Sequence, residues 1–180
     1  MANHSSDAPA RLAGSSNEQS GQQTTANPQR TVHSLQLQNI MVAVDFSDFS
    51  KTALGYAVAL AQKVGAALTL VHVVEPYAYP EDLSAGMTIE EVDARWIKKQ
   101  KDKLEALRQT INSSIPSTIV VTMGPPWHQI VAASKSWKAD LLVVGTHGYT
   151  GLKHVLLGST AERVVRHASC PVLVVHRQGP

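Results

Sequence analysis

"ADLLVVGTHGYTGLKHVLLGST", residues 139–160, decides how this chain is read. It opens on Leu141 to Val144, an apolar run without polar alternation, the pattern of a strand buried on both faces of a parallel sheet. Gly145 closes the run, Gly148 follows, and Gly158-Ser159-Thr160 opens a helix predicted to reach about His167. Strand, connection and helix in that order are half of a βαβ unit. Working outward, the same pattern recurs. "NIMVAVDF", "AALTLVHVVE", "STIVVTMG" and "CPVLVV" are four further apolar runs. Between them lie amphipathic stretches. Ser50 is expected to cap a helix whose Leu54, Ala57, Val58, Ala61 and Val64 share one face and which Gly65 ends. Thr88 and Glu91 form a capping box that opens a helix to about Ser114, with Ile89, Val92, Trp96, Leu104, Leu107 and Ile111 as its inner stripe. "PPWHQIVAASKSWK" is a helix with proline in its first turn. Five strands alternating with helices predict an α/β fold, an open five-stranded parallel sheet with helices on both faces, Rossmann-like in its winding.

Composition sets the outer bounds. With 180 residues and 43% apolar content the chain can bury one core of normal size. Residues 1–35, rich in Ser, Asn, Gln, Gly and Ala, cannot offset their ordering entropy and read as a disordered tail before a domain spanning 36–180. A net charge of +2, scattered along the chain, is no nucleic-acid footprint. The single cysteine, Cys170, fits a reducing, cytoplasmic setting and a role in packing. No secretory leader and no 18-residue apolar run point to export or to a membrane. The last strand has no helix after it, so Pro171 to Val175 is expected to be an uncovered apolar edge and the route to a homodimer.

In open α/β sheets, ligands sit beyond the carboxyl ends of the strands where the winding reverses. The glycine connection emerges at that edge. Glycine can take positive φ and admit a ligand close to the main chain. The Gly158-Ser159-Thr160 step presents orphan N–H groups and a helix dipole to an anion. A second reading is open at this point: Ser159 and Glu162 match an S-x-x-E capping box, which needs no ligand. The connection is neither a Walker loop nor a dinucleotide G-x-G-x-x-G.

The spacing G-x2-G-x9-G-S over Gly145, Gly148, Gly158 and Ser159 resembles the ATP-binding signature of the universal stress protein family. "DFSDFSKTAL", "LVHVVE", "ADLLVVGTHG" and "LLGSTAERVVRHASCPVLVV" resemble that family in order and spacing, over about residues 36–178. The resemblance implies ATP or AMP, with Mg2+ accompanying the phosphates, and a regulatory homodimer. By the same resemblance Asp45 matches the acidic residue at the nucleotide, Ala43 a strand position beside it that is often proline, and Val73 the valine near adenine and ribose. Val144 and Gly145 match the end of the fourth strand, Gly148 the phosphate loop, and Gly158, Ser159 and Thr160 the helix start that holds the phosphates. A carboxylate suits ribose hydroxyls or an adenine amine; the alternative for Asp45 is a loop-ordering or capping role.

Other residues read as structural. Lys153 and His154 read as solvated loop residues and His72 as a hydrogen-bonded strand residue. His147 has no nucleophile or carboxylate partner by spacing, and no catalytic residue is assigned. The eight histidines lack metal spacing. Trp96, Trp127 and Trp137 are expected to pack their helices on the sheet. Three functions follow: a nucleotide-binding regulatory dimer, a slow ATP hydrolase or phosphotransferase, and a partner-binding protein whose glycines serve only a turn.

Overall fold

In a computed structural model of the chain, the described residues are 36–76, 86–147 and 157–176; the expected tail, Gly148, Lys153 and His154 lie outside them. The elements run β1 (Asn39–Ala43), α1 (Asp48–Val64), β2 (Ala67–Val74), α2 (Ile89–Gln109), β3 (Ser117–Met123), α3 (Pro126–Ser136), β4 (Leu141–Gly145), α4 (Ser159–His167) and β5 (Val172–Val175). The five strands form one parallel sheet in the order β3-β2-β1-β4-β5. The winding reverses between β1 and β4, which puts helices on both faces as expected.

Successive strand residues face opposite layers, which is why the central strands are apolar throughout. Ile40, Val42, Leu68, Leu70 and Val143 turn toward α1 and α2, and Met41, Val71, Leu142 and Val144 toward α3 and α4. Each fully buried aliphatic side chain contributes about 1.5–3 kcal/mol. At the amino edge of the sheet, one carboxylate oxygen of Asp140 accepts from the N–H groups of Gln38 and Asn39, both at 2.9 Å, and so ties the start of β1 to β4.

Helix ends depart from expectation in instructive ways. Ser47, not Ser50, caps α1: its hydroxyl accepts from the Ser50 N–H, and Ser50 is the third helical residue. Gly65 ends α1 in the left-handed region at φ 72°, as expected. The Thr88/Glu91 capping box of α2 is formed. That helix stops at Gln109 rather than near Ser114, because the Asn112 side chain accepts from the Ser114 N–H and offers the backbone a turn in place of another helical step. Val92 and Leu104 are its buried stripe, whereas Ile89 is 67% exposed. Trp127 packs into the layer of α3 and α4, but Trp137 lies just past α3 and is 46% exposed.

Candidate functional site

The carboxyl edge at the winding reversal gathers most of the expected site. Ala43 pairs with Val71 and Val42 with Val143, so the ends of β1, β2 and β4 leave the sheet side by side. Ala43, Val73 and Val144 border the same apolar layer as Ala161 and Val164 of α4. The start of α4 is tied back to this edge by main-chain bonds: the Thr146 N–H donates to the Val175 carbonyl at 3.0 Å, and the Gly158 N–H donates to the Thr146 carbonyl at 2.7 Å.

Gly158 is the N-cap of α4, with φ −66° and ψ 153°, and no side chain caps the helix. Ser159 is therefore the first helical residue, and the expected Ser159/Glu162 box does not form. Glu162 instead accepts from the Arg166 guanidinium at 2.6 Å, one turn further on. The helix start is left with its dipole and without a side-chain acceptor, the arrangement that favours an anion.

The two described signature glycines are not in left-handed conformations, contrary to one expected use of glycine. A Cβ on Gly158 would lie 3.2 Å from the Thr146 carbonyl oxygen, and one on Gly145 would lie 3.0–3.1 Å from the backbone of Phe49. Gly145 lets the first turn of α1 rest on β4; Gly158 lets α4 close on the end of β4. Between them sits Thr146, 1% exposed, whose hydroxyl has no hydrogen-bond partner among the described residues. A buried hydroxyl without a partner is costly, and such groups call for an explanation. Sequence reasoning passed over it, although a polar residue directly after an apolar strand was the available signal.

Asp45 carries the loop-ordering role among its two readings. Its Oδ1 accepts from the Ser47 N–H at 3.0 Å and from the Ser47 hydroxyl at 2.6 Å, while its own N–H donates to the Ser50 hydroxyl at 3.3 Å. Its other oxygen is not held by any of these bonds. The turn depends on Phe46, whose φ of 66° is rare for a bulky side chain. Its ring lies 4.7 Å from the His72 ring and 3.9 Å from the Lys103 ammonium. His72 donates from Nδ1 to the Val44 carbonyl at 2.6 Å. Burial holds its pKa below the ordinary value, helped by Lys103 and opposed by the Val44 bond and Asp45.

His147 stacks near Phe49, with ring centroids 5.2 Å apart. Burial raises the Cys170 thiol pKa and so lowers its reactivity. Among the described residues no group of three or more His, Cys, Asp or Glu side chains is arranged to hold a metal ion, and no helix is long and apolar enough to cross a membrane.

Comparison with known proteins places this geometry. The model of the "Universal stress protein family" matches residues 36–176. A universal stress protein from Thermus aquaticus is 36% identical over 137 residues, covering 76% of this chain and 96% of its own. The solved structure of the universal stress protein UspA from Lactobacillus plantarum is 33% identical, covers 78% of this chain and 98% of its own, and superposes with a TM-score of 0.65. A universal stress protein solved in complex with cAMP is 26% identical, covers 79% and 98%, and has a TM-score of 0.53.

Proposed function

We propose, because this chain belongs to the universal stress protein family, that it is a stress-response regulator binding an adenine nucleotide, ATP or AMP, at the carboxyl edge of its sheet. The observation that carries the reading is the bare start of α4. Gly158 offers no side chain there, so the amides of Ser159 and Thr160 are available to a phosphate. The buried Thr146 hydroxyl beside it supports the same occupant, since a phosphate oxygen would give it a partner. The cAMP complex of a relative supports the adenylate class.

Each expected residue then has a role. Asp45 accepts from ribose or adenine through the oxygen its loop leaves open, Ala43 and Val73 supply apolar wall, and Val144 with Gly145 sets the floor. Gly148 lies outside the described residues, and its role at the phosphates is what the family resemblance implies. Mg2+ would be held chiefly by the phosphates. We further propose a cytoplasmic homodimer joined through β5, an edge strand whose Leu173 is 36% exposed. The test is to denature protein purified without added ligand and chromatograph the extract for adenine nucleotide, then to measure thermal shifts with ATP, AMP and adenosine. Phosphate-dependent stabilisation is expected. No shift with any of the three at millimolar concentration refutes the proposal.

A further inference from the structure

We propose that the edge of β3, unpaired among the described residues, is a docking slot for an extended acidic segment of a partner protein, which adds to the sheet as a sixth strand. This inference does not depend on nucleotide.

β3 ends the sheet opposite β5. The Leu68 N–H donates to the Pro116 carbonyl at 2.8 Å and the Gly124 N–H to the Val74 carbonyl at 2.9 Å. In a parallel ladder alternate residues turn both main-chain groups the same way. Even-numbered residues from 116 to 124 therefore face β2, and Ser117, Ile119, Val121 and Met123 turn N–H and C=O outward. Such a row is a ready template for another strand.

A groove of about 330 Å³ lies along this row, lined by Ile97, Lys101, Ile119, Val120, Val121 and Trp137. Ile119 and Val121 belong to the layer of α1 and α2, and Val120 to that of α3 and α4. One groove that touches all three, and also α2 and the residue after α3, has to straddle the edge of the strand. It is walled by α2 on one side and by Trp137, just past α3, on the other. The exposed Trp137 gives it an aromatic anchor of the kind that dominates interfaces.

Charge selects the occupant. Lys101 is the one ionised residue in the lining, exposed Lys138 follows Trp137, and Arg108, paired with Glu105, donates to the Ser117 hydroxyl at 3.4 Å, so cations outnumber carboxylates along this edge. A second copy paired here would set like charges against each other, whereas an acidic strand would meet them.

The test uses the full chain and two blocked seven-residue peptides, one alternating valine with glutamate and one alternating valine with lysine. Amide hydrogen exchange is followed at Ile119 and Val121 with Val120 as internal reference. In the free protein the two outward amides are expected to exchange faster than that of Val120. The glutamate peptide should protect them and the lysine peptide should not. Lys101→Glu should weaken the glutamate peptide by about ten-fold and leave the exchange of β1 and β4 unchanged. Three results overturn the proposal: outward amides already as protected as Val120, protection by both peptides alike, or protection that grows with protein concentration alone, which would make the occupant a second copy.

Discussion

Ser159→Asp separates the helix that forms α4 from the anion it is proposed to hold. Ser159 is exposed and is the first residue after the Gly158 cap, so a carboxylate there lies in the first turn and complements the helix dipole. That interaction is worth about 0.3–1 kcal/mol, so the ligand-free protein should melt unchanged or roughly 1–3 °C higher. The same carboxylate would stand about 4 Å from a phosphate held on the Ser159 and Thr160 amides. Repulsion between unit charges at that distance is about 1 kcal/mol in water and about 4 kcal/mol near a protein surface, a loss of roughly five-fold to several hundred-fold in affinity. A nucleotide at a hundred times its Kd stabilises by about 2.7 kcal/mol; a hundred-fold weaker Kd leaves about 0.4 kcal/mol. The assay is differential scanning fluorimetry with ATP, AMP and adenosine. The reasoning requires the ATP and AMP shifts to collapse while any adenosine shift persists. Full nucleotide shifts in a variant whose free form has not lost stability would refute the phosphate assignment. Gly158→Val is a poorer probe, because its side chain would meet the Thr146 carbonyl and disturb α4 with or without ligand.

Three further outcomes are expected. Thr146→Val removes a buried hydroxyl that lacks a described partner, so denaturant melts should show a free protein as stable or about 1 kcal/mol more stable, while calorimetry shows weaker nucleotide binding. Gly145→Ala places a Cβ against the Phe49 backbone and should lower the stability of the nucleotide-free protein in urea by about 1–3 kcal/mol with an unchanged slope. His72 has a depressed pKa in the folded protein, so the unfolded chain takes up its proton first; its contribution is full above about pH 6.5 and is lost as pH falls toward the folded value. His72→Asn, whose amide can still donate to Val44, should flatten the stability profile as pH falls below about 6.5, and an unchanged profile would remove His72 as its source.

Much of the fold was legible because a parallel sheet writes its strands as uninterrupted apolar runs, and all five runs became strands. What escaped was decided by choices between near-equivalent side chains. "DFSDFS" offers a cap in either of two registers, and the Asp45 carboxylate settles on Ser47 by holding both its N–H and its hydroxyl. At α4 the S-x-x-E pattern is present, but Glu162 bonds Arg166 and the cap falls one residue earlier. Nothing in the sequence marked Phe46 for positive φ; the turn holds it there between His72 and Lys103, which are distant in sequence. Nor does "STIVVTM" differ in composition from a central strand. Its place at the border of the sheet follows from topology alone.

The bond from the Gly158 N–H to the Thr146 carbonyl draws the two rims of the intervening chain together at 2.7 Å. Whatever lies between them enters and leaves through one fixed doorway. Main-chain atoms alone make that clasp, so a change of side chain at Thr146 leaves its two partners in place.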